Sequence, residues 1–276
     1  MRHNVSMRSS NPALNERVFQ QARGGPAATE AGWAAAEHAY AAPAYRGPVV
    51  GDDTMTLNGV AWASSALIVL VIAAGVFGWS SAEASETRVE IPGWLPLVLL
   101  GGLGVAILTI FKPHLARFTA PVYALLQGAL LGAISKLYND QYDGIVVQAI
   151  GLTIGVFLIM LFLYALRIIK VTEKLRMGIV AATGAIMLIY VASFVMRLFG
   201  ADMPFIHDSG PMGIGISLVI VGVAAFNLLL DFDFVERGVE VGLPRHMEWY
   251  AAFGLLVTLI WLYLELLRLL AKLQRR

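Results

Sequence analysis

The sequence predicts an all-α membrane protein of seven transmembrane helices, and three observations predict it. Apolar residues make up 58% of the 276 positions and charged residues 14%, little more than half the ~25% charge of a soluble domain; the mean hydropathy is +0.71. From Val60 onward the apolar residues gather into seven segments, each near the ~20 residues that cross a bilayer as a helix. The loops between those segments alternate between basic and nearly free of Lys and Arg, the asymmetry that orients spans in a membrane.

Residues 1–55 stand apart from the rest. They are rich in Ala, Pro, Gly and Asn, with Arg2, Arg8, Arg17, Arg23 and Arg46 scattered through them. No apolar run precedes a small-residue cleavage site, so they read as a disordered cytosolic tail rather than a secretory leader. A short helix around Ala27 to Tyr40 is the element expected there. Residues 56–276 read as one seven-helix transmembrane domain, with segments at about 58–79, 92–111, 120–138, 145–167, 177–199, 211–231 and 249–270. Thr56 is placed to cap the first. Pro92 and Pro121 fall in first turns, and Pro211 stands just ahead of the sixth segment. Trp79, Trp94, Tyr138, Trp249 and Tyr250 lie near segment ends, as interfacial aromatics do.

Orientation follows from the loops. Lys112, His114 and Arg117 lie between segments two and three; Arg167, Lys170, Lys174 and Arg176 flank the loop between four and five; Arg237, Arg245 and His246 lie between six and seven. The opposite loops hold only Arg88. The positive-inside rule therefore puts the N-terminus and the basic loops in the cytosol. Seven crossings leave the basic end Lys272-Leu-Gln-Arg-Arg276 outside, against that rule, but the seventh segment is long enough for a full crossing. Gly128-x-x-x-Gly132 and Gly151-x-x-x-Gly155 are small-residue patterns expected to let helices of the bundle pack closely.

Several functions are disfavoured. The net charge is +1 and there is no cysteine, so no global field recruits nucleic acid, and disulfides, thiolate metal sites and cysteine nucleophiles are absent. No Gly-x-Ser-x-Gly, His-Glu-x-x-His or phosphate-binding loop occurs. Asp231 lacks the Gly-x-Gly-Asp setting of an intramembrane aspartyl protease, and Gly213 to Ser217 has no nearby His on another span. The chain does not read as an enzyme. His207 with Asp202 and Asp208 lacks the spacing and the further ligand of a metal site.

The polar residues inside the spans carry what remains. Asp231 and Asp233 close the sixth segment, where hydrocarbon and the negative end of a helix both oppose an anion. Asn227 stands four residues before Asp231 and is expected to share its face, which makes Asp231 the inward acid and turns Asp233 and Glu236 toward cytosolic solvent or Arg237. Asp231 is then either a gate or proton site, or a charge satisfied by Arg237, Arg245 or headgroup water. In the seventh segment Tyr250, Gly254, Thr258, Trp261, Glu265, Arg268 and Lys272 recur at spacings of three and four, a polar stripe that other helices should cover. Glu265 and Arg268 are spaced to pair near the outer end; the alternative for Glu265 is a carboxylate lining an ion path. Gln127 on the third segment and Gln148 on the fourth are candidates to hydrogen-bond Asn227, at about 0.6–2 kcal/mol each.

Three stretches resemble the Bax inhibitor-1/YccA family of transmembrane Bax inhibitor motif proteins, in its bacterial branch with an N-terminal extension. They are Thr119-Ala-Pro-Val-Tyr-Ala-Leu-Leu-Gln-Gly-Ala-Leu-Leu-Gly-Ala-Ile-Ser135, Phe226-Asn-Leu-Leu-Leu-Asp-Phe-Asp-Phe234 and Leu264-Glu-Leu-Leu-Arg-Leu-Leu270; Asp53-Thr-Met-Thr-Leu-Asn-Gly-Val60 adds to them. The resemblance implies a fold whose seventh helix is central and wrapped by the other six, in a bacterial plasma (inner) membrane. It also implies a pH-sensitive calcium leak, with a pair of carboxylates on helices six and seven as sensor and gate. Asp231 matches the first of the pair. The second falls at Thr258, a neutral residue, leaving Glu248, Asp233 or Glu265 as substitutes. One Asp with one Thr is a thin calcium site, so Asp231 is kept only as a candidate metal ligand; no cofactor is expected, and Ca2+ enters as a candidate permeant ion. The alternative is a non-conducting scaffold that binds a membrane protease or other membrane proteins through its basic tail.

Overall fold

The computed structural model of the protein describes residues 53–82, 84–85, 88–89, 93–200 and 210–275. The tail as far as residue 52, with its expected helix, and the group His207, Asp202 and Asp208 lie outside the described residues. Among the described residues seven α-helices follow one another: α1 Leu57–Ser81, α2 Leu95–Phe111, α3 Ala116–Gln141, α4 Ile145–Ala165, α5 Glu173–Leu198, α6 Pro211–Glu240 and α7 Met247–Gln274. A two-residue pair, β1 Ala84–Ser85 antiparallel to β2 Arg88–Val89, lies between α1 and α2, and a 3-10 turn, Pro113–Leu115, leads into α3. Six of these helices are long and apolar enough to cross a membrane, and α2 is a shorter apolar helix. Each predicted segment is one of them.

The largest departures are at the ends of α6 and α7. The sequence places the end of the sixth segment at Asp231, but α6 runs nine residues further, to Glu240, or about 13.5 Å at 1.5 Å per residue. Asp233 and Arg237 pair one turn apart within that extension, and Gly238 lies under Met55. The helix continues because its polar residues find partners. Likewise α7 ends at Gln274 rather than near 270. Asp53 to Met55, at the close of the expected tail, are docked on the α6–α7 loop. Met55 N–H donates to Leu243 O at 2.7 Å, Arg245 N–H donates to Asp53 O at 2.8 Å, and the Met55 side chain is buried.

Small residues set the tightest packing. A Cβ on Gly132 would lie 2.0 Å from the Gly75 carbonyl oxygen, and one on Gly78 would lie 2.0 Å from that of Ala129. The backbones of α1 and α3 are therefore in contact, which in lipid is a main source of helix affinity. Gly151 and Gly155 behave otherwise: a Cβ on either meets nothing within 4 Å. Packing inside the bundle, expected for both patterns, holds for Gly128 and Gly132 and not for the α4 pair.

α7 packs against α1, α3, α4 and α6 and touches α5 through Tyr190. It is central, but α3 shares that position, with α2 laid against it. One core cluster joins α7 to α1, α3 and α4 through Leu67, Tyr123, Ile145, Leu256 and Leu267. Another joins it to α4 and α6 through Met160, Leu228, Leu262 and Leu266. The two ends of α7 lie at opposite ends of the bundle. Glu248 meets Thr56 at the start of α1, while Arg275 donates to the Tyr142 hydroxyl beyond α3 and Lys272 reaches the start of α6. The helix traverses the bundle completely.

Candidate functional site

Asp231 sits at mid-height on the α6–α7 contact, not at a helix end, so the helix-dipole penalty expected from the sequence does not apply to it. Thr258 of α7 hydrogen-bonds its carboxyl, and Gly254 leaves room beside it, a Cβ there falling 3.8 Å from Oδ1. Oδ2 is buried with no hydrogen-bond partner. The Thr258 position is thus brought against Asp231, as the resemblance implies, and it supplies a hydroxyl rather than a second acid.

Asn227 does not join them. Its Nδ2 donates to Thr183 Oγ1 of α5 at 2.8 Å and to Val223 O at 2.9 Å. Four residues turn an α-helix about 40° past a full circle, enough here to aim Asp231 at α7 and Asn227 at α5. Gln127 is also elsewhere, its amide against Gly102 of α2, and Gln148 is exposed. Neither glutamine is a partner of Asn227.

Asp233 is only 7% exposed; of the two surroundings expected for it, Arg237 holds and solvent does not. It accepts from Arg176 Nη2 at 2.6 Å and from Arg237 Nε at 2.9 Å. Glu236 accepts from the Tyr164 hydroxyl and from Arg167. Arg167 has φ 57°, a left-handed conformation unusual for a side-chain-bearing residue, held where its guanidinium meets Glu236. These pairs clamp the end of α6 between α4 and α5. A cleft of about 550 Å³ opens among them, lined by Tyr164, Arg167, Lys170, Asp233, Glu236 and Arg237 with three neighbours. It reaches Asp233; Asp231 is not part of its wall.

Glu248 is not a second acid for Asp231 either. Buried in the first turn of α7, it accepts from Thr56 N at 3.0 Å and from Thr56 Oγ1 at 2.9 Å. The same Thr56 oxygen accepts from Gly59 N at 2.9 Å, the N-cap expected from the sequence. The carboxylate lies at the positive end of the α1 dipole and is stabilised there. Among the described residues no group of three or more His, Asp or Glu could hold a metal ion.

Glu265 and Arg268 pair, as their spacing predicts, with Arg268 Nη1 2.7 Å from Oε1. Tyr190 of α5 completes the group. Its hydroxyl donates to the same Oε1 at 2.5 Å and accepts from Arg268 at 2.6 Å, and the guanidinium stacks 5.3 Å from its ring centre. Glu265 is 1% exposed, and its Oε2 has no hydrogen-bond partner. One turn beyond Arg268, Lys272 Nζ donates to Gly213 O at 2.9 Å and to Ser217 Oγ at 2.8 Å.

The α5 residues were missed. Arg176, Thr183 and Tyr190 are seven apart, with buried Ile179 and Ile186 between them and buried Ser193 three residues beyond. That alternation of three and four is a helical seam and was legible. What it would bond to was not, because its partners lie on two other helices.

Comparison with known proteins completes the picture. The family model described as Bax inhibitor 1 like matches residues 11–275. No curated protein and no solved structure matches the chain. Since the family match runs through all seven helices and the stripe of α7, the chain belongs to the Bax inhibitor 1-like family and is a multi-pass integral membrane protein.

Proposed function

We propose that the protein is a pH-sensitive cation leak pathway, with calcium among its permeant ions, gated where Asp231 meets Thr258. It works in a bacterial plasma membrane with its N-terminus and basic loops in the cytosol, and it carries out no covalent chemistry. The observation that supports this reading is the Asp231 carboxyl, which lies within a membrane-spanning helix and has one oxygen sealed from water without a donor. Acids at such depth are rarely retained without function. Gaining or losing a proton changes the hydrogen bond with Thr258, and that local change biases a closed against an open packing of α6 on α7. With one acid rather than two, the gate responds to a single protonation.

Reconstituted into liposomes, the full chain should pass calcium or monovalent cations at a rate that changes with pH. Asp231→Asn should flatten that dependence. Equal flux and equal pH response from the two proteins would sink the gate.

A second reading has its own support. The cleft at the basic end stops at Asp233, and beyond Asp231 the fully buried Leu228 and Leu262 close the core. A non-conducting scaffold for other membrane proteins would look the same. For that reading, flux should match empty liposomes at every pH, and deleting residues 2–50 should release co-purifying membrane proteins.

A further inference from the structure

Asp231 has a counterpart. Glu265 is likewise a buried carboxyl with one oxygen hydrogen-bonded and the other bare, and it lies seven residues beyond Thr258 on the same face of α7, about 10.5 Å along the axis. We propose that Glu265 is a proton-carrying station on the route gated at Asp231, with Tyr190 of α5 as its lid. The proposal rests on the permeation reading above and adds the proton to the species that move.

The chemistry around Glu265 selects the proton. A divalent cation wants six to eight oxygens, whereas Glu265 is accompanied by one phenol and one guanidinium, and the positive charge of Arg268 repels a metal ion. A proton needs only the bare Oε2. Oε1 already accepts from Tyr190 and Arg268, so Oε2 is the oxygen open to it. The groups facing Glu265 are Tyr190 from α5 and Arg268 from α7, with Lys272 one turn further on; Tyr138 of α3 faces Arg268 in turn. α6 presents the Gly213 carbonyl and Ser217 to the Lys272 level. Asp231 faces Thr258, with the ion pairs of Asp233 to Arg176 and Arg237 just beyond it.

Between the two acids, Leu228 and Leu262 close the α6–α7 contact completely. Beside this plug runs the Asn227–Thr183 hydrogen bond to α5. Polar groups therefore descend the α5–α6–α7 seam from Asp231 through Asn227 and Thr183 to Glu265, Tyr190 and Lys272. α5 holds the seam with single side chains. A groove of about 400 Å³ next to Tyr190, lined by Ile186, Ile189, Met212, Ile216 and Val219 among others, leaves α5 only partly packed on α6.

A shift of α5 breaks the Asn227–Thr183 and Tyr190–Glu265 bonds together and admits water past the leucines. A proton then forms an O–H bond at Glu265 Oε2. It leaves that oxygen along the water chain, forms an O–H bond at Asp231 Oδ2 and departs toward the basic end. Only O–H bonds form and break, and no electron moves.

Two flux assays on the full chain test this: liposomes holding a pH dye, with a potassium gradient and valinomycin as the driving force, and parallel liposomes holding a calcium dye. Wild type should take up protons faster than empty vesicles, Glu265→Gln should fall to the empty-vesicle rate, and Tyr190→Phe, with its lid bond removed, should exceed wild type. A wild type without proton flux overturns the proposal, as does a Glu265→Gln variant that conducts protons normally. Should Glu265→Gln fail to fold, judged by elution and helix content, Tyr190→Phe decides, and an unchanged proton rate there overturns it. Calcium flux indifferent to Asp231→Asn, with proton flux still dependent on Glu265, removes the proposed gate and leaves the station standing. The reverse pattern removes the station alone.

Discussion

α1 and α3 meet backbone to backbone, while α5 meets the bundle through side chains along one seam. At the first contact the Cβ positions of Gly78, Gly128 and Gly132 are taken by the facing helix. At the second, Thr183 bonds Asn227, Tyr190 bonds Glu265, and most of the other α5 side chains face outward. In lipid no water is released when apolar faces meet, so close approach and hydrogen bonds carry the affinity. Close approach has no alternative arrangement, since a backbone in contact cannot slide without clashing. Hydrogen bonds between side chains can be exchanged for water. On the proposed reading, the α1–α3 half of the molecule is a frame and α5 is the part that moves.

The frame should fail first. Gly132→Leu puts a branched side chain where the Gly75 carbonyl already lies 2.0 Å from a Cβ, and overpacking of that degree should cost more than ~3 kcal/mol. Thermal unfolding in detergent checks it. Gly155→Leu, facing open space on α4, should stay within ~0.5 kcal/mol of wild type, and an equal loss at both sites would abolish the distinction between them. Glu248→Ala strips the Thr56 amide and hydroxyl of their acceptor and should cost about 1–3 kcal/mol, read as a lower melting temperature with an unchanged pH response of flux. The smallest loss belongs to the movable side. Thr183→Val should cost about 0.6–1.7 kcal/mol and yet raise proton flux, because it frees α5 at mid-height. A stability loss there as large as at Gly132 would mean that α5 belongs to the frame.

Local signals were legible in the sequence, and partners across helices were not. The seven apolar segments, the Thr56 cap and the Glu265–Arg268 pair each depend on residues a few positions apart, so periodicity and spacing reveal them. The end of α6 is not legible because Asp231 reads as the exit from lipid, whereas the Asp233–Arg237 pair and the cover of Met55 carry the helix nine residues on. The spacing of four points Asn227 to the face of Asp231, but the choice between α5 and α7 is made by a rotation of tens of degrees that composition does not encode. Two identical Gly-x-x-x-Gly patterns gave opposite outcomes for the same reason. A small residue permits close approach, and the neighbour decides whether it occurs. The acid that holds α1, Glu248, is 192 residues from its Thr56 partner, far beyond any local signal.

That separation of 192 residues also has a meaning in time. Ribosomes add about 5–20 residues per second, so α1 waits roughly 10–40 s for the carboxylate that completes its cap. Meanwhile α7, which follows the other six helices in the chain, must bring Glu265 and Arg268 into the membrane, where a charge at mid-span costs about 2.5–3.5 kcal/mol on the insertion scale. The groups that receive its charges, Tyr190, Ser217 and the Gly213 carbonyl, lie on helices made earlier. A nascent chain halted before α7 should therefore keep α1 locked on α3 and leave a polar slot beside α6 open to the lipid, a state that membrane quality control can recognise and the finished bundle hides.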